Sequence, residues 1–341
     1  MPRPEPTFER LAWRDPATGL ALEPLVAVRN PSGVPLMGAL RVSGTRRGYP
    51  IVDSVARLTP ELAQRYREWL EPFGLEPPGG EEAFQPEGSV ESFGFQWSWN
   101  ADMRSEADLR WRVAERFRVA PDFFRHTLVL DAGAGAGDQS RWLLRQEADV
   151  VSVDLSSAID VVAGKLRGHP GWVGVQGDVT ALPFADQQFE RVYCEGVIQH
   201  TRDSARTVGE LCRVLRPGGT LLVTHYALPR RLRSRMKGAY VAWLRRRLRR
   251  WDRYKLLLLT GNLTALGYLP LVGRVFRLSG TTVHYDLMPD FKTSWTNTFD
   301  CFGPQAFQRH ISPEEFHACV RKAGAEIVHS EGTVVVATRL P

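Results

Sequence analysis

Val129-Leu130-Asp131-Ala132-Gly133-Ala134-Gly135-Ala136-Gly137 is an apolar run that breaks straight into a glycine hinge. Thr127 to Leu130 has the unbroken apolar character of a central parallel strand, buried on both faces. Glycines at every second position let the backbone turn sharply and come close to a ligand. A helix expected from about Gln139 then offers its free N–H groups at that turn. Asp154 follows the next apolar strand (Asp149 to Val153), 23 residues after Asp131. A carboxylate so placed suits the two hydroxyls of a ribose. Together the turn and the acid point to a nucleoside-containing cofactor.

The spacing is G-x-G-x-G, where a dinucleotide fingerprint would be G-x-G-x-x-G. Further motifs follow in order. Trp172 to Val175 reads as a third strand, closed by Gly177-Asp178-Val179 and followed by Leu182-Pro183-Phe184. The run from Phe189 to His200 supplies a fourth strand and its loop. Glu210 to Leu215 ends a helix, Arg216-Pro217-Gly218-Gly219 makes a turn, and Thr220 to Val223 is a fifth strand.

Over residues 90 to 225 this series resembles the class I S-adenosylmethionine-dependent methyltransferases, in particular their type 11 group. The resemblance implies a doubly wound α/β fold, Rossmann-like, with a mostly parallel seven-stranded sheet. It implies that Asp131, Gly133, Gly135 and Gly137 wrap the methionine part of S-adenosyl-L-methionine, whose product is S-adenosyl-L-homocysteine. Asp154 would take the ribose hydroxyls and Leu155 would pack on the adenine. Asp178 would meet the adenine amino group with Val179 beside it, and Glu195 and Gly196 would lie under the sulfonium. Ala134 stands where the family often has cysteine, and Glu190 replaces a common aspartate.

The chain has 341 residues, enough for a complete α/β core with about 120 residues to spare. Its polar, proline-rich start lacks the apolar run of a signal peptide. Cys194, Cys212, Cys301 and Cys319 show no C-x-x-C spacing. The expectation is therefore reduced thiols, a cytoplasmic protein and no metal. The net charge of +6 is local in origin. Arg230 to Lys255 holds twelve basic residues against the single acid Asp252, so the remainder of the chain is net acidic.

Three parts are expected. Residues 1–60 form a small N-terminal module that is similar to the zinc ribbons accompanying some methyltransferases, here without metal-binding cysteines. Residues 61–120 read as a helical cap or linker, and 121–341 as the methyltransferase domain with an insertion at 227–310. Ser312-Pro313-Glu314-Glu315 is a helix start, with a serine cap and proline in the first turn. Gly324 ends that helix, and two strands (Ala325 to His329, Thr333 to Arg339) finish the sheet.

Inside the insertion, Val241, Leu244, Leu248, Trp251 and Leu258 recur at helical spacing, with arginines on the other faces. Such a helix suits the surface of an anionic membrane through 230–276, the phosphates of a nucleic acid, or plain packing on the domain with a solvated basic face. The aromatic and polar residues Trp97, Tyr285, Trp295, Asn297 and His310 suit an organic-substrate pocket. His200, just past the fourth strand, is a candidate general base; His225 and Tyr226, after the fifth, are further catalytic candidates.

The expected function is S-adenosylmethionine-dependent methyl transfer to a small organic acceptor, favouring O-methylation of a natural product, glycan precursor or lipid-linked compound. The alternatives are a tRNA methyltransferase using the basic insertion, and a cofactor-binding pseudoenzyme without turnover.

Overall fold

The computed structural model describes residues 6–79, 94–97, 104–226, 239, 242–244, 246–248, 251–279, 291–302 and 309–341. The chain divides into two compact units. The first comprises Met1–Phe84, Arg104–Ala227 and Arg309–Pro341; the second comprises Gln85–Met103 and Leu228–Gln308.

The first unit is built on one sheet. Its strands are β1 (Leu22–Arg29), β2 (Pro35–Val42), β3 (Gly48–Val52), β4 (Val55–Arg57), β5 (Leu128–Ala132), β6 (Asp149–Asp154), β7 (Trp172–Gln176), β8 (Phe189–Cys194), β9 (Leu215–Thr224), β10 (Ala325–Glu331) and β11 (Val334–Arg339). Among the described residues the sheet has 11 strands, in the order β1-β2-β3-β4-β7-β6-β5-β8-β9-β11-β10. The centre, β7-β6-β5-β8-β9, is parallel, and β11 and β10 close one side antiparallel.

The expectation of seven strands is corrected here. The open side of β7 would expose a row of unpaired backbone groups. Instead β4 pairs with it in parallel, Ala56 opposite Val175, and β3, β2 and β1 follow as an antiparallel meander. The N-terminal strands also share the core: Trp13, Tyr49 and Ile51 belong to the same apolar cluster as Leu130 and Val151. Trp13 packs on Phe184, ring centres 5.4 Å apart.

Successive strand residues serve opposite faces, as a pleated strand buried on both sides requires. Leu130, Val151, Val173, Val192 and Leu221 pack on one face of the sheet. Their neighbours Val129, Val150, Trp172, Tyr193 and Leu222 pack on the other. The helices of this unit are α1 (Pro60–Arg65), α2 (Glu106–Val113), α3 (Asp138–Arg145), α4 (Ala158–Leu166) and α5 (Ser204–Val214). α5 buries Val208, Leu211 and Cys212 at the spacing of one helical face. The turn expected at Arg216 to Gly219 is an irregularity inside β9, where the pairing jumps from Leu215 opposite Phe189 to Thr220 opposite Arg191.

In the second unit the helices are α6 (Arg253–Gly267), α7 (Pro270–Ser279) and α8 (Phe291–Phe302). Leu256, Phe299 and Phe302 form its small core. The Trp295 indole donates to the Leu257 carbonyl at 3.0 Å, over Gly261, where any side chain would press on the ring. No helix among the described residues is long and apolar enough to cross a membrane. The chain's last helix, α9 (Pro313–Lys322), returns to the first unit. It starts on the Ser312 hydroxyl, which accepts from the Glu315 N–H at 3.1 Å.

Candidate cofactor and acceptor site

The strand order reverses between β5 and β8, because β6 and β7 lie to one side of β5 while β8 and β9 lie to the other. Open α/β sheets bind ligands at the carboxyl ends of the strands at such a point. The glycine turn leaves β5 there, and Glu195-Gly196 leaves β8.

The turn is fixed from below. Gly133 and Ala134 both donate to the Val153 carbonyl, at 2.7 and 3.0 Å. Gly133 has φ +87°, and a Cβ there would stand 2.0 Å from Val197 Cγ2. Gly137, at φ +78°, opens α3, and a Cβ on it would meet Val162 at 2.7 Å. Only glycine fits these two positions. The Gly135 N–H donates to Asp154 Oδ2 at 2.9 Å, and Asp154 Oδ1 accepts from both the N–H (2.8 Å) and the hydroxyl (2.6 Å) of Ser156. Burial raises the Asp154 carboxyl above its ordinary range, and these bonds work against that rise.

Asp131 is 2% exposed. A chain of donors runs into it: Trp172 Nε1 to Ser152 Oγ (2.9 Å), Ser152 to Ser140 (2.8 Å), and Ser140 to Asp131 Oδ2 (2.5 Å). Burial, with Asp154 and Glu195 nearby, pushes the Asp131 carboxyl up to about 7 although the Ser140 hydroxyl opposes it. Glu195 goes the other way. Burial raises it, but Arg112, Arg104 and Arg116, with the Tyr193 hydroxyl, overcome that and hold it below the usual carboxylate range. Arg112 and Arg116 reach it at 3.2 and 2.6 Å, and Tyr193 at 2.7 Å. These arginines come from α2 and the turn after it. They were not among the expected site residues, since nothing local marks a pairing with an acid 79 and 83 positions away. Gly196 donates to Thr224 Oγ1 at 3.0 Å, tying the end of β8 to the end of β9.

On the adenine side of the expected arrangement, Asp178 is half-buried and accepts the Thr180 N–H at 2.7 Å. Val179 is buried in the core, and Leu155 is half-buried with its carbonyl held by Gln176.

Of the catalytic candidates, His200 ends a one-turn 3-10 helix (Ile198–His200) and is half-buried. Its ring centre lies 6.2 Å from that of Tyr226, which lies 5.9 Å from that of His310. The structure thus brings together His200, Tyr226 and His310. His225 is different. It is 1% exposed, stacked at 4.4 Å on Phe316 of α9, and burial with His317 nearby lowers its pKa, so it faces the interior rather than the crevice. Trp97, Trp295 and Asn297 are half-buried in the second unit. Tyr285 lies outside the described residues.

Residues 130–223 match the family model described as a methyltransferase domain. A demethylmenaquinone methyltransferase of Beutenbergia cavernae is 40% identical over 101 residues, 30% of this chain and 41% of that protein. Another, from Thermobifida fusca, is 36% identical over 132 residues, 38% of this chain and 55% of that protein. A malonyl-[acyl-carrier protein] O-methyltransferase of Enterobacter lignolyticus is 33% identical over 120 residues, 35% and 47% of the two chains. The chain spans about half the length of the curated relatives it matches. Residues 130–223 are a methyltransferase domain of the class that draws its methyl group from S-adenosylmethionine.

Proposed function

We propose that this chain transfers a methyl group from S-adenosylmethionine to an oxygen of a small organic acceptor. The observation that carries the reading is the hydrogen-bonded unit of glycine turn and Asp154 at the reversal point of the sheet. When bound, the cofactor supplies a methyl group on a positively charged sulfur, open to in-line attack.

The residues around it fit that group. A carboxylate offers roughly four lone-pair positions, and three of those on Asp154 are in use. A ribose diol therefore gains one position directly and a second by displacing the Ser156 hydroxyl. Glu195 adds negative charge where the cation would sit, and the bound cation would in turn favour the ionised form of Asp131 beside it. His200 would take the acceptor's hydroxyl proton on an imidazole nitrogen, freeing the oxygen to receive the methyl group that the bound cofactor would supply. Tyr226 stands beside His200 as an aromatic wall, and His310 continues that wall from Tyr226.

Titration calorimetry with S-adenosylmethionine and S-adenosylhomocysteine tests the reading. Micromolar binding of both supports it and opens a search for acceptors in extracts with methyl-labelled donor. Absence of binding to either sinks it.

A lipid-linked acceptor is favoured by one further observation. Tyr254, Leu258, Leu271 and Val275 are exposed on α6 and α7, and Arg253 and Lys255 share α6. Apolar side chains beside cations suit an anionic membrane surface. Sedimentation with vesicles containing phosphatidylglycerol should retain the protein, and phosphatidylcholine vesicles should not. Equal binding to both would remove this part of the proposal.

A further inference from the structure

Gln199 is 1% exposed, yet neither its Oε1 nor its Nε2 has a hydrogen-bond partner among the described residues. A buried carboxamide left unpaired costs on the order of 1–3 kcal/mol, and native structures hold few of them. Its backbone is not free to relieve this. The Gln199 carbonyl accepts the Arg309 N–H at 2.8 Å, and the residue lies within the one-turn helix that ends in His200.

The amide also has a direction. A Cβ built on Gly196 would have Gln199 Nε2 at 3.8 Å as its single neighbour within 4 Å among the described residues. The enclosed amide nitrogen is thus the group that faces Gly196, at the carboxyl end of β8 where the strand order reverses. The next residue, His200, begins the aromatic series through Tyr226 to His310. The backbone holds that series in place, since Ile311 donates to the Tyr226 carbonyl at 2.9 Å. A donor and an acceptor, both unspent, thus sit beside the candidate base and a wall of planar rings.

We infer that Gln199 is the acceptor-recognition residue of this site, and that it selects a hydroxylated planar ring by bonding its oxygen. The inference rests on the methyl-transfer reading above. In it, the carboxamide donates Nε2–H to the acceptor oxygen and holds that oxygen over Gly196, in reach of His200. Gln199 is a specificity residue; the proton goes to His200. An acceptor without the hydroxyl leaves the amide unpaired and is rejected.

The test uses the full chain with S-adenosylhomocysteine bound and phenol as probe, with toluene as its isostere lacking the hydroxyl. The side-chain ¹⁵NH₂ signal of Gln199 is identified by its disappearance in Gln199→Met. Phenol should shift that signal and toluene should not. Gln199→Met should bind S-adenosylhomocysteine within about twofold of the parent, since the amide is assigned to the acceptor. It should weaken phenol roughly three- to tenfold, the worth of one hydrogen bond. It should also melt no lower than the parent, because an apolar side chain replaces an unpaired polar one. Equal responses to the two probes, or no response to phenol, would overturn the inference. So would a clear loss of thermal stability in Gln199→Met, which would mean the amide is bonded internally. If the parent protein itself fails to bind S-adenosylhomocysteine, the methyl-transfer reading falls and takes this one with it.

Discussion

The Gly135 N–H and the Asp154 carboxylate are joined at 2.9 Å, so the glycine turn after β5 and the acid that ends β6 form a single hydrogen-bonded unit. The acid that would take the ribose also holds the turn closed. Asp154→Ala should therefore do two things. It should weaken S-adenosylhomocysteine binding at least tenfold by calorimetry, and it should lower stability by about 1–3 kcal/mol as Gly135 and Ser156 lose their acceptor. Asp154→Asn keeps an acceptor for Gly135 and should lose affinity with much less loss of stability. Unchanged affinity in both variants would remove Asp154 from the site.

Gly133 is the tightest point of the turn. Gly133→Ala forces a methyl group to 2.0 Å from Val197 Cγ2 and holds a side chain at φ +87°. Overpacking of this kind costs about 1–3 kcal/mol, and the left-handed backbone about 1–2 more. Pairing it with Val197→Ala should recover the first part and leave the second. Urea unfolding of the single and double variants separates them, and full recovery would contradict the backbone argument.

Two acids in the site should give opposite pH signatures. The Asp131 carboxyl is raised from 3.8 to about 7, so the protonated native form is favoured. The stability it contributes is complete below about 4 and is lost as pH rises through about 7. Asp131→Asn should accordingly gain stability relative to the parent between pH 4 and 8, by a few kcal/mol at about 1.4 kcal/mol per pH unit. Melting curves of the cofactor-free proteins measure this, and a difference that stays flat with pH would contradict the assignment.

Glu195 is held ionised, so its contribution is present above its unfolded value and is lost only as pH falls through its lowered native one. Glu195→Gln should leave Arg112 and Arg116 facing a neutral group, with a loss of roughly 3 kcal/mol at neutral pH. The loss should shrink as pH falls below 4.5, where the unfolded parent takes up a proton that its native carboxyl resists. Guanidinium titrations at pH 7.5 and 3.5 compare the two, and equal losses at both would mean charge is not the cause.

What the sequence made legible was local. The β5 strand, its glycine hinge, the acid that ends β6 and the Ser312 cap each rest on residues a few positions apart, and each takes the expected form. The four added strands were not legible, because the pairing of β4 with β7 joins Ala56 to Val175 and no short pattern encodes it. The arginines on Glu195 are distant for the same reason. His225 drew notice as a titratable residue after β9, yet Phe316 of the returning helix buries it. Gln199 drew none, because glutamine carries no chemical signal until its amide is found enclosed and unpaired.

The bond from Ile311 to Tyr226 joins the point where the chain leaves the first unit to the point where it returns. The excursion between them therefore starts and ends at a closed pair of backbone groups. Because that pair already fixes its two ends, lengthening or exchanging what lies beyond adds only a slowly growing loop-closure entropy. Segments of other lengths can thus leave at Tyr226 and rejoin at Ile311 with the sheet's register kept by the strands that flank them.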